Sequence, residues 1–189
     1  MSHLTVASLN TRGVGPHLRT RYGVIGSVFE TSHVDVVNLQ EVLTYYHLHL
    51  LRRSMPSYRA SLRLSAAGPA GGRYYGLHQT QLTALARYVG AVEQPAVVCG
   101  DFNVARDSSL YRDFIRDSGL TDAFGNDCPP TFHQAFLGPD QSPHCIDYVL
   151  LSGPITVESA ELTFTDKLGE IYATDHLGLQ VRLRRKVSE

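Results

Sequence analysis

Long apolar runs are missing from this 189-residue chain. None approaches the roughly 18 consecutive residues that a membrane-crossing helix needs, so no transmembrane segment is expected. The opening Met1-Ser2-His3-Leu4-Thr5-Val6 has no basic patch leading into an apolar stretch, and no secretory signal is expected either. Cysteine is scarce: Cys99, Cys128 and Cys145 are odd in number and lack Cys-x-x-Cys spacing. That count argues against a disulfide framework and for a reducing, cytoplasmic compartment. Excess charge of one sign is also absent, with 17 Lys+Arg against 18 Asp+Glu, so any nucleic-acid contact would need a local basic patch. Of those cations only Lys167 and Lys186 are lysines. There is no internal repeat, no linker-length low-complexity tract and no Gly-x-Ser-x-Gly motif. What is present, 43% hydrophobic residues over a length that suits one domain, excludes a disordered or collagen-like chain and supplies a proper core.

Apolar runs of strand length recur at Leu4–Leu9, Val34–Leu39, Ala96–Cys99, Ile146–Leu151 and Ile155–Phe164. The last run, Leu177–Leu183, alternates Leu177, Leu179, Val181 and Leu183 against polar or small residues. Tyr58, Ala60, Leu62, Leu64 and Ala66 alternate against Arg59, Ser61, Arg63 and Ser65, the pattern of a half-buried strand. Helical spacing places Leu82, Leu85, Ala86 and Val89 on one stripe within 77–90. Leu110, Phe114 and Ile115 repeat it after Asp107 or Ser108 as N-cap. Helices are also expected over 18–30 and 42–53. Such a mixture reads as a layered α/β or α+β domain.

Polar residues stand where the apolar runs stop. Leu4–Leu9 runs into Asn10, Val34–Leu39 into Gln40-Glu41, and Ala96–Cys99 into Gly100-Asp101-Phe102-Asn103. Asp147 interrupts the apolar run from Cys145 to Leu151, and Thr174-Asp175-His176 precedes the last strand. Strand ends and neighbouring strand starts can bring such groups to one edge of a core. Each group also has an ordinary reading. Asn10 suits a turn or cap, Glu41 a first helical turn, Asp101 and Asn103 an Asx-type turn, and Asp175-His176 a solvated turn. In extended backbone Asp101 and Asn103 share a face. Asp147 is the sharpest case, because an acid in an apolar strand costs several kcal/mol, in round terms, unless it is paired or metal-bound. His47 and His49 face apart on a helix, and Cys128, His133, His144 and Cys145 lack zinc spacing. Arg52, Arg53, Arg59 and Arg63 form a strip that reads best as a solvated face, the alternative being a nucleic-acid contact. Gly68-Pro69-Ala70-Gly71-Gly72 opens no helix as a phosphate loop would.

In order, Leu9-Asn10, Leu39-Gln40-Glu41, Gly100-Asp101-Phe102-Asn103, Ile146-Asp147-Tyr148-Val149 and Thr174-Asp175-His176 resemble the motifs of the endonuclease/exonuclease/phosphatase superfamily. The resemblance implies a single α+β domain over 1–189, a four-layer αββα sandwich of two mixed, mostly antiparallel sheets. It implies a Mg²⁺-dependent phosphoester hydrolase, a phosphodiesterase, nuclease or phosphatase, with Mn²⁺ as a possible substitute. The substrate would be phosphorylated: nucleic acid, a phospholipid headgroup, or an inositol or sugar phosphate. Carried over by motif, Glu41 is the principal metal ligand, with Asn10 and Asp175 near the ion. Asp101 orients or deprotonates the attacking water, Asn103 holds the phosphate, and His176, steadied by Asp147, sits against the phosphoryl oxygens. One departure stands out. Only sixty positions separate Glu41 from Asp101, and the superfamily's central block, with its histidine, has no counterpart here. The fold is therefore expected to be incomplete in the middle, with a join near 72–73 and raw strand edges or partner strands from another chain. That gap keeps a second reading open: a catalytically impaired relative acting as a binding module. The oligomeric state stays open.

Overall fold

The structure, a computed structural model, describes residues 3–59 and 75–185. Its elements follow the periodicities. In chain order they are β1 (His3–Asn10), α1 (Leu18–Thr31), β2 (Val36–Gln40), α2 (Tyr45–Ser54), α3 (Tyr75–Gly90) and β3 (Val97–Asp101). Then come α4 (Ser109–Ser118), β4 (Thr121–Asp122), β5 (Asp147–Leu151), β6 (Ile155–Thr163) and β7 (Gly178–Arg185), with a 3₁₀ turn at Gln134–Phe136. One sheet has the order β2-β1-β7-β6 and the other β3-β5-β4. Among the described residues the β1–β2 pair is parallel and the other strand pairings are antiparallel.

Side-chain parity divides the molecule into layers. In β5, Val149 and Leu151 face the core shared by the two sheets, together with Val6, Leu179, Val181 and Leu183. The alternate residues Tyr148 and Leu150 face outward and pack under Leu82, Ala86 and Val89 of α3 and Tyr111 and Phe114 of α4. On the other sheet, Ala7 and Leu9 face outward beneath Tyr22, Ile25 and Phe29 of α1 and Leu51 of α2. Three cores between four layers make an αββα sandwich. Gly26 sets the α1–α2 spacing, since a Cβ there would lie 1.9 Å from Ser54 Oγ. Caps fix the ends: Tyr111 N donates to Ser108 Oγ at the start of α4, and left-handed Gly119 closes it.

The sequence expectations are corrected at several points. The helix expected from residue 42 begins at Tyr45, capped by Thr44, and Glu41 lies outside it in a left-handed conformation (φ 57°). Asn103 is left-handed too (φ 52°), so Asp101 and Asn103 are not two positions on one extended strand. Tyr58 closes the turn after α2, with its N–H on the Met55 carbonyl, and neither it nor Arg59 is in a strand; the Tyr58 hydroxyl donates to the Val34 carbonyl at 2.5 Å. The rest of that expected strand, from Ala60 onward, and the join near 72–73 lie outside the described residues. Among the described residues, β2 pairs only with β1 and β3 only with β5. Cys128 and Cys145 form a disulfide, against the expectation from their count. The count could not see that Thr131 N bonds the His144 carbonyl, which lays the two cysteine segments side by side.

Candidate active site

Parity also builds the site. Asn10, Gln40, Asp101 and Asp147 continue the inward-facing series of their strands, Ser8 and Asn10 in β1, Asn38 and Gln40 in β2, Cys99 and Asp101 in β3, and Val149 and Asp147 in β5. All four stand at the same end of the sandwich. The β1–β2 register pairs Asn10 with Gln40, and the antiparallel β3–β5 register pairs Asp101 with Asp147. β7 starts beside the end of β1, which brings Thr174-Asp175-His176 to the same end; Thr174 Oγ1 donates to the Asn10 carbonyl at 2.6 Å.

Asp147 and His176 are both buried, at 2% and 5% exposure. Asp147 Oδ2 accepts from His176 Nδ1 at 2.9 Å and from the Thr131 hydroxyl at 2.6 Å. A carboxylate is an acceptor only, so Nδ1 carries the proton and Nε2 is left for other chemistry. Burial pulls the His176 imidazole down, but the bond and charge of Asp147, with Asp101 and Asp175 behind it, outweigh burial and leave its pKa raised. Thr131 was not singled out by sequence. Its hydroxyl donates to Asp147 and accepts from Ile146 N and Asp147 N, which uses its full bonding capacity. The segment carrying it lies against the His176 segment, with Leu177 N on the Thr131 carbonyl and the Phe132 ring edge-on to His176 at 4.9 Å. Thr131→Val is therefore expected to lower turnover about 10- to 100-fold by releasing the Asp147 carboxylate. The two orphaned amides should cost about 2–4 kcal/mol of stability, and Thr131→Ser should restore both. Turnover and thermal midpoints of the two variants check this.

Across the sheets, Asn10 Nδ2 bridges Glu41 Oε1 at 3.2 Å and Asp101 Oδ2 at 3.0 Å. Glu41 Oε2 accepts from Gly13 N. Residue 13 must be glycine for that approach, because a Cβ there would lie 2.2 Å from the Glu41 carbonyl oxygen. Asp101 accepts from Asn103 N at 2.8 Å and Asn103 Nδ2 at 2.9 Å, so the Asx-type turn exists and the same residues still reach the cluster. Burial, and next the charge of Asp147, push the Asp101 carboxyl up to about 6.

Asp175 stands at the rim, 3.4 Å from Arg12 Nε. Behind it lies Arg21, a second residue with no sequence signal, buried at 3% exposure. Its five N–H groups all go to backbone carbonyls: Nε to Pro16, Nη1 to Thr11 and Ala173, and Nη2 to Arg12 and Val14. It ties the 11–17 loop, which carries Gly13, to the segment leading into Asp175. His47 and His49 lie on opposite sides of α2: His47 is buried and accepts from Leu43 N, while His49 is exposed.

The donor set fits a hard divalent cation. Ligand atoms of Asp101, Asp147 and His176 lie within 4.8 Å of one another. Asp147 Oδ1 is buried with no hydrogen-bond partner, a costly state that a cation would relieve. Glu41 and Asp175 are not members of that tight trio; Glu41 is joined to it through Asn10.

Comparison with known proteins gives one family and one fold. The model of the Endonuclease/Exonuclease/phosphatase family matches residues 7–176. No curated protein matches the chain in sequence. Among solved structures, an endonuclease/exonuclease/phosphatase family protein from Bacteroides thetaiotaomicron superposes with a TM-score of 0.75 at 17% identity, covering 98% of this chain and 99% of that one. D. rerio TDP2 complexed with single strand DNA product gives 0.75 at 16% identity, covering 97% and 100%. The Bacteroides thetaiotaomicron mannosyl-6-phosphatase Bt3783 gives 0.67 at 17% identity, covering 96% and 99%.

Proposed function

Because the chain belongs to the endonuclease/exonuclease/phosphatase family, we propose that it is a magnesium-dependent phosphoester hydrolase that uses an activated water and no covalent intermediate. The observation that carries this reading is Asn10 joining Glu41 to Asp101 beside the buried Asp147–His176 pair. Glu41 would hold the ion, with Asn10 and Asp175 beside it and the Asp101–Asp147–His176 trio adjoining. A bound divalent cation supplies positive charge to the phosphoryl oxygens. Asp101, with its carboxyl raised to about 6, is a base of suitable strength near neutral pH and takes the proton of the attacking water. Asn103, held by Asp101, offers its remaining amide hydrogen to the phosphate. His176 keeps Nδ1–H on Asp147 and presents Nε2–H to the oxygens that gain charge in the transition state.

The substrate class is a phosphorylated one, whether nucleic acid, phospholipid headgroup, or inositol or sugar phosphate. No described helix is long and apolar enough to cross a membrane. Cytoplasmic action is part of the proposal, although the Cys128–Cys145 bridge removes the cysteine argument for it.

The test is hydrolysis of bis(p-nitrophenyl) phosphate and p-nitrophenyl phosphate. Magnesium should support turnover, manganese should substitute, and EDTA should abolish it until magnesium is restored. Asp101→Ala should lower turnover about 10²- to 10⁴-fold. Magnesium binding without turnover on nucleic-acid, lipid and inositol-phosphate substrates would establish the binding module instead.

A further inference from the structure

Beside the site, on the Asp175 side, runs a row of rings and cations that the proposed chemistry does not use. The Arg12 guanidinium lies 4.7 Å from the Phe136 ring centroid. Phe136 meets Tyr172 edge-on at 5.7 Å, Tyr172 packs on His133 at 4.4 Å, and Lys167 Nζ sits 5.6 Å from the Tyr172 centroid. Phe136 is 37% exposed in spite of these contacts. Arg12 is committed only in part. Its Nε faces Asp175 at 3.4 Å, and among the described residues no protein acceptor bonds its two Nη nitrogens. A guanidinium stacked on a ring, with its fork free, is built to receive phosphate oxygens in pairs.

Building on the hydrolase reading, we infer that Arg12, Phe136, Tyr172 and Lys167 form the surface that seats a single-stranded nucleic acid next to the scissile phosphate. The order is cation, ring, ring, cation, and a nucleic-acid strand alternates anionic phosphates with flat bases. Duplexes hide the faces of their bases, so a ring platform selects unstacked ones. A sugar phosphate with one phosphate group would engage one of the two cations and leave the other without an anion. The row also supplies the local basic patch that a chain of formal net charge −1 needs for such a partner. Two acids stand near Lys167: Asp166, which accepts from the Thr165 hydroxyl, and Glu170, which is exposed. They limit the patch to a short stretch of strand.

Fluorescence anisotropy of labelled oligothymidylate, read in EDTA so that no turnover is needed, tests the assignment. Phe136→Ala should weaken binding about 5- to 100-fold. Arg12→Gln should weaken it and reduce the salt slope of log K by about 1, while Arg12→Lys should restore the slope but not the full affinity. Thermal midpoints confirm that the variants fold, and Phe136→Trp should bind at least as well as the parent. The inference is overturned if Phe136→Ala and Arg12→Gln bind within twofold of the parent, if the parent does not bind, or if mannose 6-phosphate displaces the strand at equal concentration. A chain that binds as expected yet hydrolyses nothing would sink the hydrolase reading and leave this surface standing.

Discussion

Replacing His176 by asparagine lowers turnover of a simple phosphodiester by about three orders of magnitude with little change in KM. Asparagine still offers an N–H near the position of Nδ1, so Asp147 Oδ2 keeps its second partner and the fold is spared. What disappears is the Nε2 donor on the far side of the ring. Nε2–H acts only as the phosphoryl oxygens gain charge, so its loss falls on turnover rather than on binding. His176→Ala should lose the same activity and also stability, because a buried carboxylate then rests on the Thr131 hydroxyl and its own surroundings alone. Steady-state kinetics and thermal melts of the two variants separate catalysis from folding. Turnover within tenfold of the parent in His176→Asn would remove His176 from the chemistry.

The largest loss of stability is expected at Arg21, which lies behind Asp175 and touches no reacting group. Arg21→Met keeps the apolar stem but strips five carbonyls (Thr11, Arg12, Val14, Pro16 and Ala173) of a shared charged donor. Bonds to charged groups are worth more than neutral ones, and buried acceptors left unpaired add to the loss. The expected cost is about 3 kcal/mol or more, a fall in melting midpoint of roughly 6–12 °C for a chain of this length. The loop that Arg21 holds includes left-handed Arg12 and His17, conformations that persist only while the surroundings enforce them. Because Gly13 N bonds Glu41 Oε2, slackening the loop should also raise the magnesium concentration needed for half-maximal activity. Differential scanning calorimetry and a magnesium titration of the variant check both parts. Arg21→Lys should rescue little, since one ammonium cannot reach five acceptors in a plane.

Much of the site was legible because it rests on parity and on strand ends. An apolar run of period two announces where a strand stops, and Asn10, Glu41, Asp101 and Asp147 stand at such stops or starts. An acid at position 147 inside an apolar run signals a partner, and the partner is His176. Thr131 and Arg21 gave no such signal. A threonine in a Pro-rich loop and an arginine in an amphipathic helix have ordinary solvent-facing roles, and only packing shows that both are buried and fully bonded. The left-handed conformations of Asn103 and Glu41 escaped the sequence because positive φ at a residue other than glycine has no reliable mark in composition. The Cys128–Cys145 bridge escaped for a related reason. Cysteine arithmetic counts residues, whereas bridging depends on two loops running side by side.

By itself the sequence determined the long strands and most of the helices, which side of those strands is apolar, and which chemical groups end them, because these depend on neighbours a few positions away. Only the tertiary structure decided which inward faces meet. That choice sets Asp101 opposite Asp147 and suspends Asn10 between Glu41 and Asp101. It also lays Arg12 on Phe136, 124 positions further along the chain. Local periodicity fixes the direction of a side chain, but its partner is fixed by how two sheets and their loops close on one core.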